Sequence, residues 1–592
     1  MATVALGLFN LPPELVCKIF EYLPGKDLKG MALCGSAAFK ITAPILYRTI
    51  RLFYKEDETD FLSRSDKNPE RMTIELCTDD VRDLQQSKLA LGHATRVRIQ
   101  RKILGWMDSD SKYFYEVKMS AATDGEMRSI FEQFDEGQLD RVKIDYETSI
   151  TTLIDICSRQ KNIRDLYLGD LTLRGVTPDI ELLDSTRALH FPKLESLEIS
   201  MIDDGARPLV LLILHQNSST LRRMTIGGRT HARHLRRLAY KVNRMKIPPL
   251  PFNTIHFPSL EQLFIMYSCT DLQSMILWEA FKDMASVGGN LKRIRLSGFT
   301  MPYAFIQKLL PTSEATSRIE SLQMSNSEYH WQQLEADKAT GSLIPLPQMS
   351  SLSTLHMDFC TKMDTEFQAA YTSRRTLKRL WLQCPFRSNP VNDPIISELW
   401  DSSSLPLDHD RWPLLEELAL QVPQRRGATI RFATIWKKIP MLKSLKILRL
   451  IFCEEHFDGG IDWDPFEAPP PIPYENNINV YTNQLYNWST TNYGEPPNLR
   501  LMIVDTQSRY TPAGEYRAIS HYFSIYPSEI PGVTLDEQAG VVSPPVVKRI
   551  DEPTARSICK QAGCYTYLID IAAWSKPDRF WEDDIEPCDF GY

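Results

Sequence analysis

No apolar run in this chain approaches the roughly 18 residues that a membrane-spanning helix requires, and the longest, Leu209 to Leu214, has the length of a core segment. Gly-rich phosphate loops, nucleophile elbows and metalloprotease helices are missing as well, so no catalysis is expected. His231 and His234 stand three apart without acid or cysteine company, and Cys559 and Cys564 have no second ligand pair. No metal and no cofactor is therefore expected. The chain has 11 cysteines, mostly scattered through apolar positions, and no cationic-plus-apolar leader at Met1. That pattern implies a reducing compartment, cytoplasm or nucleus. A net charge of -7 excludes bulk attraction to nucleic acid or to a membrane surface as the main activity.

Two stretches lack one sign of charge altogether. From Leu450 to Leu499 there is no Lys or Arg, but there are eight acids, many aromatics and the run Pro469-Pro470-Pro471. This acidic, proline-rich segment, about residues 453–498, reads as an insertion. From Gly205 to Leu260 there is no Asp or Glu and there are ten Lys or Arg. Within it Arg233, Arg236, Arg237, Lys241 and Arg244 share one face of a predicted amphipathic helix.

What is abundant is repetition. With 592 residues and 43% hydrophobic content the chain exceeds one ordinary compact domain. A frame of the form apolar-x-x-apolar-x-apolar begins at Leu139, Ile163, Leu194, Leu221, Leu260, Leu291, Ile319, Leu352, Leu377, Leu415 and Leu445, at spacings of 24 to 39 residues. That spacing accommodates one short strand, a turn and a returning helix, the mark of a solenoid. Fainter frames at Ala94-Val97-Ile99 and Leu499-Met502-Val504 extend the series, and several frames follow an aromatic-Pro pair, as at Phe191-Pro192, Phe257-Pro258 and Trp412-Pro413.

The N-terminal stretch has a different logic. Pro12 or Pro13 suits a first helical turn, with Leu15, Val16, Ile19, Phe20 and Leu23 at helical spacing before Pro24-Gly25 stops it. Asp27 is a good N-cap for a second helix carrying Leu28, Met31, Ala32 and Leu33, and a third helix is expected from Ser36 until Pro44 interrupts it. These segments carry more apolar surface than some forty residues can bury.

Together, Leu11-Pro12-x-Glu14-Leu15, the Ile19-Phe20 pair, the Leu23-Pro24 break and Asp27-Leu28 resemble the F-box, and the repeats that follow resemble irregular leucine-rich repeats. The Asn or Cys usual three positions after the last apolar residue of such repeats is mostly absent. The resemblance implies an α/β chain: a three-helix F-box at 9–50, a transition with first irregular repeats at 51–138, a leucine-rich-repeat-like solenoid (horseshoe) at 139–510, and a C-terminal extension with an acidic tail at 511–592. It further implies a non-catalytic substrate receptor of an SCF-type ubiquitin ligase, bound to the adaptor subunit and through it to a cullin scaffold. Leu11, Pro12, Leu15, Ile19, Leu23 and Leu28 are the expected adaptor-binding set.

In such a repeat the alternates of the buried strand residues line the open sheet face. Aromatic and arginine residues dominate interface hot spots, so Tyr167, Phe264, Arg293, Arg295, Arg379, Trp381 and Arg449 are the expected substrate-binding set. The arginines suggest an acidic or phosphorylated protein substrate. The alternative is a repeat scaffold that binds acidic or phosphorylated partners, through the Arg233 to Arg244 face, without a ubiquitin role.

Overall fold

The structure, a computed structural model, describes residues 11–21, 25–54, 72–76, 79–81, 88–101, 124–172, 189–199, 207–228, 257–267, 290–297, 310, 313–325, 349–358, 374–382, 412–423, 439–453, 482–483, 485–487, 489–491, 497–508, 517–526 and 545–564. Leu23, the basic helix at 233–244, most of the acidic insertion and the acidic tail lie outside them. The chain forms two compact units, one of residues 1–107, 113–290 and 577–592, the other of residues 108–112 and 291–576.

The first unit opens with helices α1 (Pro13–Glu21), α2 (Gly25–Ala32) and α3 (Ser36–Leu46). α2 starts two residues before Asp27, which lies in its first turn instead of capping it. α3 runs through Pro44 to Leu46. The proline sits in the last turn, so the hydrogen bond its missing N–H forgoes and its clash with the preceding turn fall where the helix is about to end at Tyr47. Val16, Phe20, Leu28 and Leu46 form the shared core of the three helices.

Strands β1 (Thr49–Tyr54), β2 (Met72–Leu76) and β3 (Asp79–Val81) follow, then α4 (Lys88–His93) and β4 (Arg96–Arg101). Next come α5 (Asp124–Phe131), β5 (Arg141–Ser149), α6 (Ile150–Arg159), β6 (Asp165–Thr172), β7 (Ser196–Ile199), α7 (Arg207–Asn217), β8 (Arg223–Gly228) and β9 (Gln262–Tyr267). β1, β4, β5, β6, β7, β8 and β9 pair in parallel in that order, and β2 and β3 continue the sheet antiparallel on the far side of β1.

The second unit repeats the plan. β10 (Arg293–Ser297), α8 (Ser313–Ser317), β11 (Ser321–Ser325), β12 (Thr354–Asp358), β13 (Arg379–Leu382), β14 (Glu417–Pro423), β15 (Ile447–Cys453) and β16 (Leu501–Ser508) supply seven parallel strands in sequence order. The antiparallel strands β17 (Arg517–Tyr526) and β18 (Val546–Ile550) and the helix α9 (Glu552–Gln561) complete it. Among the described residues no helix is long and apolar enough to cross a membrane.

The parallel pairing is the register that the sequence frames imply. Middle apolar residues face one another as Val142, Leu166, Leu197, Met224 and Leu263 in the first unit, and as Ile294, Leu322, Leu355, Leu380, Leu418 and Leu448 in the second. All of them are buried. The aromatic-Pro pairs also have a structural reason. Phe191, Phe257 and Trp412 are buried, and each carbonyl accepts the N–H of the first frame residue, at 3.1, 3.3 and 3.3 Å. Proline then occupies the second position of the turn, where its fixed φ is already correct.

Two buried amides strap the turns of the first unit. Gln160 donates from Nε2 to the Asp135 carbonyl (2.9 Å) and accepts the Leu139 N–H (3.0 Å). Asn217 donates to the Leu189 carbonyl (3.0 Å) and accepts the Phe191 N–H (2.8 Å). These side chains sit at or just beyond helix ends, not after the strand where leucine-rich repeats usually place such a group.

Gly137 holds φ at 69, and a Cβ there would come within 2.9 Å of the Asn162 Nδ2 that donates to its carbonyl. Gly137→Ala should therefore cost about 1–2 kcal/mol of stability from the left-handed backbone alone, with the displaced Asn162 adding to it. Chemical denaturation of the two chains measures this, and an unchanged midpoint would contradict the strain.

Candidate functional site

The three-helix module divides its apolar residues cleanly. Val16 and Phe20, four apart on α1, are 1% and 0% exposed and face inward. Leu15 and Ile19, also four apart, are 48% and 37% exposed, and Leu11 is 39% exposed. Pro12 is exposed beside them, and its carbonyl accepts the N–H groups of Leu15 and Val16 at the helix start. Leu28, by contrast, lies in the module's own core. Leu33, after α2, is the most exposed large apolar side chain among the described residues, followed by the exposed thiol of Cys34.

The opposite faces of the strands from the core carry the expected substrate set. In the first unit one register row runs Arg98, Lys143, Tyr167, Glu198, Thr225, Phe264. Tyr167 is buried, with the Lys143 ammonium 4.3 Å from its ring centre, while Phe264 is half-buried. In the neighbouring row Asp165 bridges two arginines: Arg141 Nε at 2.8 Å and, across β7, Arg223 Nη2 at 3.2 Å. Burial pushes the Asp165 carboxyl above its usual value, with Arg141 and then Arg223 pulling it back.

In the second unit the row runs Arg295, Gln323, His356, Trp381, Ala419, Arg449, Ile503. Adjacent parallel strands bring these side chains into contact. His356 stacks on Trp381 with ring centres 4.7 Å apart and planes 14° apart, and the Arg449 guanidinium lies 5.1 Å from the same indole. Arg295, His356, Trp381 and Arg449 are all at most 3% exposed. Of the remaining members, Arg293 is exposed and Arg379 pairs through Nε with the fully buried Glu417 at 2.9 Å. The strand pattern alone selected Trp381, Arg295 and Arg449; it passed over His356 in their own row, Glu417 in the row of Arg379 and Lys143 in the row of Tyr167.

Part of this face is closed by the chain itself. α9 packs Ala555 and Cys559 into a cluster with Trp381, Ala419, Ile447, Leu501, Ile503 and Tyr522, joined by Cys564 just beyond the helix. Lys446 Nζ fixes the helix end through the Ala562 carbonyl at 3.0 Å. Burial pushes the Cys564 thiol up to about 12, with Glu417 adding to the effect. Cys559 and Cys564 thus serve as small core residues, and among the described residues no group of His, Cys, Asp or Glu is placed to hold a metal ion.

A third polar feature runs along the strand starts. The residue after the first frame position is charged in most repeats, with Ser353 the uncharged case, and the signs alternate to give the pairs Arg164 with Glu195 (3.9 Å), Arg222 with Glu261 (2.5 Å), Lys292 with Glu320 (3.8 Å) and Lys446 with Glu416 (3.2 Å). Arg164, Glu195, Arg222 and Glu261 line a shallow polar groove of about 510 Å³ in the first unit. Within it Arg164 pairs with Glu195 and Arg222 with Glu261, while Lys193, also in its lining, donates to Asn162 Oδ1 at 2.7 Å.

Compared with protein-family models the chain matches none, and no curated protein matches it either.

His356 makes one property of this face measurable. Its burial, then the charges of Arg295 and Arg449, hold the imidazole well below its ordinary 6.5. The unfolded chain takes up a proton below about pH 6.5 and the folded chain does not. The residue's contribution to stability is therefore intact above that value and falls as the pH drops, by at most about 1.4 kcal/mol per pH unit. His356→Gln should flatten the loss of melting temperature between about pH 7 and pH 5.5; identical slopes in the two proteins would exclude His356 as the source.

Proposed function

We propose that the chain is a non-catalytic substrate-receptor subunit of an SCF-type, cullin-based ubiquitin ligase. The observation that carries this reading is α1: one face closes the module's small core, and the other leaves Leu15 and Ile19, together with Leu11 and Pro12, open to solvent. Apolar side chains in such a row gain about 1.5–3 kcal/mol each when a partner covers them. The F-box residues quoted above coincide with that row, which supports an adaptor as the partner. On this reading ubiquitin transfer is performed by other subunits, in the cytoplasm or nucleus.

The repeats take the cargo role. Phe264 in the first unit and Arg293 and Arg379 in the second reach solvent and would meet a protein substrate, whereas Tyr167 in the first unit and Arg295, Trp381 and Arg449 in the second are buried within their own sheets. The arginines favour an acidic or phosphorylated substrate.

Leu15→Glu combined with Ile19→Glu should abolish copurification of the full chain with the adaptor, while its melting temperature changes little because both side chains are solvent-facing. Phe20→Ala should instead cost about 3–5 kcal/mol locally by leaving a cavity in the three-helix core. Adaptor capture that survives the double Glu variant would refute the assignment of this face.

A further inference from the structure

The expected substrate face of the second unit changes character along its length. In β10, β11 and β12 the row opposite the core reads Arg293, Ser321, Thr354, whereas in β15 and β16 the same row reads Ile447, Leu501, and Ile503 follows two residues on. A polar face has become a largely apolar one. Such a face needs a cover, and α9 is seated on it.

What the helix brings to this contact is small. Ala555 and Cys559, four apart, are its fully buried residues, with Ile558 and Ala562 packed at the edge. The large side chains of the cluster, Trp381, Ile447, Leu501, Ile503 and Tyr522, all belong to the sheet. Stabilisation follows the apolar area removed from water, and most of that area here is the sheet's own. Any helix with small residues at those two positions would cover it as well as α9 does, and larger residues would overfill the contact.

The ends of α9 are secured by the helix itself. Asp551 accepts the Thr554 N–H at 3.0 Å, and at the other end the Cys564 N–H donates to the Cys559 carbonyl (2.9 Å) and the Gly563 N–H to the Lys560 carbonyl (3.1 Å), with Gly563 at φ 67. From the sheet, Lys446 Nζ, also paired with Glu416, donates to the Ala562 carbonyl at 3.0 Å. A cation there suits the negative end of any helix laid in the same direction. Elements that bury few large side chains of their own open at less free energy than the whole domain.

We propose that this face is a groove for an amphipathic helix of a partner protein, with small residues four apart and its C-terminal end at Lys446, and that α9 is the resident occupant which such a helix displaces. The proposal rests on the receptor reading only in calling that partner a substrate. Asp551 alone separates α9 from β18, so the helix competes at high local concentration. The closed chain therefore binds a partner helix more weakly than an opened one, in proportion to the closed population.

Surface plasmon resonance tests this with a peptide of residues 551–564, kept reduced and passed over the immobilised full chain. Ala555→Arg in the full chain puts a charge at a fully buried position and unseats α9. The peptide should bind that variant saturably and the native chain at least about tenfold more weakly, because the native groove is filled. Ala555→Leu with Cys559→Leu in the peptide should weaken its binding at least about tenfold through overpacking. The Ala555→Arg chain should still melt cooperatively; its collapse would make α9 part of the core and overturn the proposal. No saturable binding at millimolar peptide, equal binding to the two chains, or indifference to the two leucines would overturn it as well. Adaptor capture is read on α1 and is independent of these outcomes. A chain that takes the peptide but no adaptor keeps the groove and loses the receptor reading, and one that takes the adaptor but no peptide does the reverse.

Discussion

A parallel strand cannot slip by one residue against its neighbour without turning every buried side chain outward. That constraint organises both units of this chain. In each repeat three apolar residues, at the first, fourth and sixth positions of the frame, point into the core, and the described ones are almost fully buried. The carbonyl after each first position then accepts two N–H groups from the next strand, as Arg164 does from Glu195 and Ser196 at 2.8 and 2.9 Å. Alternating charges at the same points add little energy where they are exposed, but they penalise wrong pairings. Everything on the opposite face, from the Asp165 bridge to the indole sandwich at Trp381, inherits its neighbours from that register.

Much of this was legible in the chain because it depends on residues close in sequence. The frame residues gave strand positions, faces and pairings from Val142 through Leu448. The aromatic-Pro pairs marked the turns, and the spacing of Val16, Phe20 and Leu28 marked the helical module. Pro44 misled slightly, since the helix continues through it for two more residues before ending.

What stayed hidden depends on distance along the chain. That α9, more than a hundred residues after β14, covers Trp381 and Ala419 could not be inferred from either segment alone, because its amphipathic pattern fits many surfaces. His356 read as one polar residue among alternates until the register set it against Trp381. The partners of Asp165 lie 24 residues before it and 58 after it, on strands whose pairing has to be known first. The general lesson concerns rows: reading the alternate positions across strands, instead of along them, would have set His356 beside Trp381 and Glu417 beside Arg379.

The way the second unit stops has a consequence for behaviour in concentrated solution. After seven parallel strands the chain reverses into β17 and β18, and β18 is a short segment carrying Lys548 and Arg549 directly after Pro545. Among the described residues of the second unit β18 pairs with β17 alone; backbone left open along a sheet margin invites another molecule to add on, and short, positively charged margins next to proline discourage it. Two copies approaching through this terminus would set ammonium and guanidinium groups against their own kind, which protects a protein built from self-complementary strands against growing into fibres.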